Sequence, residues 1–103
     1  MYMLKREHLI VSGVVQGVGF RKFIERRAKE LDLRGWVRNL DDGTVEISAQ
    51  GQNYALDELF RCAIKGPDRA KVVSIQKKET ALDCKLERFR VLTESGTVFE
   101  LNT

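Results

Sequence analysis

The sequence predicts an α+β sandwich in which two helices cover one face of an antiparallel sheet. Three observations carry this. Apolar residues recur at helical spacing in two separate stretches, residues 44–49 alternate as a half-buried strand does, and the elements run strand, helix, strand, strand, helix, strand, with one further strand after them.

Met1 to Arg6 reads as a loose polar lead. The apolar run Leu9-Ile10-Val11 within residues 8–13, closed by Gly13, predicts a central strand. From Phe20 on, Phe23, Ile24, Ala28 and Leu31 share one helix face, and the helix is expected to end near Arg34 with Gly35 as a left-handed cap. Its outer face carries Lys22, Glu25, Arg26, Lys29 and Glu30, a solvated face. Residues 35–40 give the second strand and residues 44–49 the third, with Asp42-Gly43 turning the hairpin between them. Val45, Ile47 and Ala49 point one way there, and Thr44, Glu46 and Ser48 the other.

A second helix is expected over residues 53–65, with Leu56, Leu59, Phe60, Ala63 and Ile64 inward and Gly66-Pro67 ending it. The fourth strand follows at residues 71–78, with Val73 and Ile75 facing the core. Residues 79–87 read as a polar loop, and residues 88–92, with Phe89 and Val91 alternating, as the extra edge strand. Residues 93–103 are either one more strand, around Val98 to Leu101, or a tail. The order is the split βαβ arrangement of ferredoxin-like sandwiches. In that arrangement the first two strands flank the third and run parallel, so Asn39 is expected beside the loop that follows the first strand. If Val37 faces the helices, so does Asn39.

At 103 residues the chain is expected to be one domain, residues 1–103, with 43% hydrophobic and 32% charged residues as in soluble globular proteins. A net charge of +3 suits a small anionic substrate without demanding nucleic acid. Cys62 and Cys84 form no Cys-x-x-Cys pair, which favours two free thiols in a reducing cytoplasm. Cys62 is read as packing at a helix edge. No stretch approaches a membrane span, and Lys5, Arg6 and Glu7 stand where a signal peptide would be apolar. His8 is the only histidine and the carboxylates lack ligand spacing, so neither metal nor cofactor is expected.

The loop Val15-Gln16-Gly17-Val18-Gly19-Phe20 opens directly into the first helix. No Ser, Thr, Asp or Asn lies between Gly13 and Phe20 to cap that helix, so its first backbone N–H groups are left for another acceptor. The first turn carries Arg21 and Lys22 at the positive end of the helix dipole, and no carboxylate occurs from His8 to Ile24. Amides, dipole and guanidinium thus point to a bound anion of the phosphate kind. The plain alternative is a tight turn capped by water, with Arg21 in solvent. Nucleotide motifs do not fit, since the Gly-Lys-Ser/Thr ending of a P-loop is missing and Gly17-Val18-Gly19 lacks a third glycine.

The runs Val11-Ser12-Gly13-Val14-Val15-Gln16-Gly17-Val18-Gly19-Phe20-Arg21 and Gly35-Trp36-Val37-Arg38-Asn39-Leu40-Asp41-Asp42-Gly43-Thr44-Val45-Glu46-Ile47, with Ala28-Lys29-Glu30-Leu31 between, closely resemble the acylphosphatases. Weaker similarity continues from Gly66-Pro67 to Phe89-Arg90-Val91. The resemblance implies a small cytoplasmic hydrolase of the carboxyl–phosphate bond, free of cofactors. It also implies that Arg21 and the amides of Val15, Gln16, Gly17, Val18, Gly19 and Phe20 bind phosphate, and that Asn39 holds the attacking water. Inorganic phosphate or sulfate would then compete with substrate. The tail beyond Leu92 departs from the family.

The residues alone make the same chemistry reasonable, because a carboxylate leaves without being protonated and needs no strong general acid. Positioning and electrostatic donors supply most of the stabilisation in phosphoryl transfer. A covalent phosphatase fails for want of a thiol, since Val15 stands at the nucleophile position of a Cys-x5-Arg cradle. An RNA-binding module would use the basic residues around Arg21 but needs aromatic residues on the central strands, and residues 44–50 hold none, so no nucleic-acid or membrane partner is expected. A non-catalytic anion sensor would bind phosphate without turnover. With no visible association stripe, a monomer is the expected state.

Overall fold

The computed structural model describes residues 3–93. The elements are β1 (Leu4–Val14), α1 (Phe20–Glu30), β2 (Arg34–Asn39), β3 (Val45–Gln52), α2 (Asn53–Lys65), β4 (Lys71–Thr80) and β5 (Arg90–Val91). They form one five-stranded sheet in the order β4-β1-β3-β2-β5, the ferredoxin-like arrangement with an added edge strand. Strands β1 to β4 pair antiparallel, whereas β5 joins β2 in parallel, which makes the sheet mixed. Residues 94–103, where a further strand was one of the two expectations, lie outside the described residues.

One face of the sheet is apolar because its strands alternate. Leu9, Val11, Val37, Val45, Ile47 and Ala49 are buried on it, against Phe20, Ile24 and Ala28 of α1 and Ala55, Leu56, Leu59 and Ala63 of α2. Burying each larger side chain contributes roughly 1.5–3 kcal/mol. Phe20 and Phe89 are the largest fully buried side chains, so the first residue of α1 is itself a core anchor.

Five expectations need correction. Ile64, expected inward on α2, is exposed. Leu4 to Arg6 are not a loose lead, because they pair with Gln50, Gly51 and Gln52 in register with the rest of β1. Helix α1 stops at Glu30, four residues early, with the N–H groups of Leu31, Asp32 and Leu33 bonded back to its last carbonyls. Asp32 takes the left-handed turn (φ 60), a conformation its short polar side chain tolerates. Gly35 is therefore no cap but a buried strand residue at φ 137, where a Cβ would meet the Ser48 carbonyl oxygen at 1.9 Å. Finally, Val73 is 74% exposed, because Ser12 pairs with Ser74 and Gly13 with Val72, leaving Val73 as the extra residue of a bulge. Val72 and Ile75 pack on the core instead.

Gly35→Ala is expected to lose on the order of 3 kcal/mol of stability, from backbone strain and overpacking together. A urea unfolding midpoint equal to that of the parent chain would contradict this placement.

On the helix-free face, Glu46 is only 13% exposed and receives His8 at 2.5 Å and Arg38 at 2.6 Å. Burial pushes its carboxyl pKa up, but the hydrogen bonds from His8 and Arg38 outweigh this and hold it below the ordinary value. A depressed folded pKa contributes stability above the unfolded value, about 4.3, and that contribution is lost as the pH falls through the folded value. Glu46→Gln should therefore flatten the acid limb of the stability profile. Urea titrations at about pH 6 and about pH 3 check this, and an unchanged difference between the two would contradict it.

Candidate active site

The loop between β1 and α1 ends at Gly19, which occupies the N-cap position of α1 in a left-handed conformation (φ 81). Glycine is needed there for its dihedral, as at Gly17 (φ 74), since added side chains would meet nothing within 4 Å. Among the described residues no side chain caps α1, and no acidic residue lies in its first turn. The first free N–H groups of the helix thus open on a cavity of about 90 Å³ lined by Val15, Gly17, Gly19, Phe20, Arg21 and Lys22. Two larger hollows, of about 410 and 330 Å³, lie at the far end of the sheet around Arg34. Neither includes the loop or Asn39, and converging donors matter more than volume for a small anion.

The other expected residues stand around this cavity in different ways. The Gln16 side chain turns away from it, and its amide donates to the carbonyls of Leu40 (2.8 Å) and Thr44 (2.9 Å), stapling the loop to the β2–β3 turn. Val18 packs on the core. Arg21 Nη1 donates to the Leu92 carbonyl at 3.3 Å, and the Leu92 N–H donates to the Val37 carbonyl at 2.9 Å. Both ends of the site are thereby tethered to the last residues of β2, where Asn39 sits. Asn39 does not line the cavity itself. Its Oδ1 is buried and has no hydrogen-bond partner among the described residues, an uncommon and costly state. A buried acceptor left open is suited to a bound water.

The turn after Asn39 is rigidly made. Leu40 and Thr44 pair through the Leu40 N–H and the Thr44 carbonyl at 2.9 Å, and Asp42 accepts from the Thr44 hydroxyl and backbone N–H. Those bonds from Thr44 hold the Asp42 carboxyl pKa below its ordinary value. Lys22 and the Leu92 carbonyl are further parts of the surroundings. The staple made by the Gln16 side chain could not be read from the sequence, because a loop glutamine carries no pattern that says where its amide goes.

A family model described as Acylphosphatase matches residues 7–91. The chain belongs to the acylphosphatase family. An acylphosphatase of Chlorobaculum tepidum is 54% identical over 86% of this chain and 97% of its own length. One of Methylococcus capsulatus is 42% identical over 88% and 99%. The crystal structure of acylphosphatase from Bacillus subtilis superposes with a TM-score of 0.82 at 40% identity, covering 87% of this chain and 99% of that one. Across that extent the family match takes in the whole loop, α1, β2 and Asn39.

Proposed function

We propose that the protein hydrolyses acyl phosphates to a carboxylate and inorganic phosphate by in-line attack of a water held by Asn39. The phosphoryl group is bound by the backbone amides of residues 15–20 and by Arg21. The observation that carries this reading is the conjunction of an uncapped helix start, Arg21 at its cavity, and an open buried acceptor on Asn39, all tied together through Gln16 and Leu92.

The chemistry follows from what each group offers. Amide N–H groups and a guanidinium supply donors to the three equatorial oxygens on which charge spreads in the transition state. The Asn39 amide oxygen orients the water but is too weak a base to deprotonate it, and a phosphate oxygen of the substrate takes the proton. The carboxylate leaves unprotonated, so no general acid and no covalent intermediate are required. The same reading takes the protein to act as a cytoplasmic monomer without metal or other cofactor, with inorganic phosphate or sulfate as competitive ligands.

Benzoyl phosphate hydrolysis in the presence of a chelator tests the reaction. Run in ¹⁸O-labelled water, it is expected to place the label in phosphate; label in benzoate would mean attack at carbon and overturn the mechanism.

Gln16→Ala tests the staple. Two turn carbonyls lose their shared donor, at a cost of about 1–3 kcal/mol in stability. With Asn39 no longer held against the loop, kcat is expected to fall about tenfold, since small misplacements are expensive in positioned reactions. A parent-like kcat would show that the staple serves stability alone.

A further inference from the structure

The face of the sheet that carries no helix is a cationic platform. Strand alternation places Arg6, Arg34, Arg38 and Lys78 on it by register, and the core position of Phe89 puts Arg88 and Arg90 there too. Against these six cations stand two carboxylates, Glu46, which is already hydrogen-bonded by His8 and ion-paired with Arg38, and Asp83 of the loop bonded to Gln50. That surplus of cations on one sheet face exceeds the whole chain's net +3. Lys78, Arg88 and Arg90 are exposed and have no ion pair among the described residues.

An aromatic residue lies in the middle of this field. Trp36 sits beside Ser48 on β3 and Arg90 on β5, and the Arg38 guanidinium lies 5.2 Å from its ring centroid. The absence of aromatic residues from β3, which counted against nucleic acid, is thus made up by the adjacent strand. Aromatic rings and guanidinium planes are the two surfaces on which unpaired bases stack, while surrounding Arg and Lys meet the phosphates. Along β1 the aliphatic side chains on the same face, Leu4, Ile10 and Val14, alternate with Arg6, His8 and Ser12.

We propose that this face binds single-stranded nucleic acid without sequence specificity, the bases stacking at Trp36 and Arg38 and the backbone running along Arg88, Arg90 and Lys78. It is a second surface, formed by residues outside the catalytic assignment, and it stands or falls separately from acyl phosphate hydrolysis.

Trp36 is the only tryptophan, so its fluorescence reports directly on the surface. Titrating the full chain with oligouridylate at low salt is expected to quench that emission saturably. The logarithm of the affinity should fall linearly with the logarithm of salt concentration. Arg90→Ala should lower the magnitude of that slope by about one and the double variant Arg88→Glu/Arg90→Glu should weaken binding at least about tenfold. Both should hydrolyse benzoyl phosphate at the parent rate, which shows that they are folded. Three results would overturn the proposal: no quenching at low salt, equal quenching by polyglutamate, which would mean an acidic protein or any polyanion, or unchanged binding by the double variant.

Discussion

Arg21→Ala is expected to lose phosphate binding and turnover together, with kcat falling by at least about 10²–10³, the roughly 3–4 kcal/mol typical of one transition-state donor. Arg21 lines the cavity at the uncapped start of α1. Its one side-chain hydrogen bond among the described residues, to the Leu92 carbonyl, is long at 3.3 Å and leaves further donors of the fork for a ligand. Removing the guanidinium leaves only backbone dipoles facing a dianion, so the inhibition constant for phosphate should rise alongside the loss of rate. Lysine at this position is expected to restore little, because a point charge cannot reproduce two parallel N–H bonds. Stability should move by less than about 1 kcal/mol, since the site is part-exposed and its internal bond weak. Parent-like inhibition by phosphate in Arg21→Ala would contradict the assignment.

Asn39→Ala is expected to separate the two functions. The side chain does not line the cavity, so the inhibition constant for phosphate should stay within a few-fold of the parent value. Turnover should nevertheless fall by about 10³, because the water loses its only oriented acceptor. Stability gives an independent reading. Among the described residues no protein donor bonds the buried Oδ1 of Asn39, so truncation strands no protein partner and should change stability by less than about 1 kcal/mol. Asn39→Asp should not rescue activity, since a carboxylate there would face a phosphate dianion. A destabilised Asn39→Ala that keeps its rate would mean that the residue is structural.

The parts of the fold legible in the sequence were those with strong punctuation. Helix α2 spans Asn53–Lys65 as its periodicity and the Gly66-Pro67 stop require, and the Asp42-Gly43 turn correctly joins β2 to β3. At Gly35 and Val73, where the outcome depended on the local details of pairing with a distant strand, local pattern misled. Gly35 looked like a helix cap because glycine serves both there and where another backbone comes close, and only the approach of Ser48 distinguishes the two. The β4 bulge reversed Val73, and a period-two pattern carries no mark of one extra residue.

At the site, the missing cap, the glycines and Arg21 were readable because they break local rules for a helix start. The tethers were not, since Gln16 reaches residues 24 and 28 positions away and Arg21 one 71 positions away. Trp36 was passed over for a related reason. It stands on β2, and only the register with Ser48 and Arg90 puts it in the middle of a basic face.

The central claim is that main-chain donors at the start of α1 and the Arg21 guanidinium hold a phosphoryl group beside a water fixed by Asn39. A crystal structure with bound phosphate tests it most directly. The account predicts the ion in the cavity, within about 2.7–3.2 Å of loop N–H groups and of Arg21, with a water on Asn39 Oδ1 in line with the phosphorus. Phosphate bound instead among Arg34 and Arg88, with Asn39 Oδ1 hydrogen-bonded to protein, would contradict it.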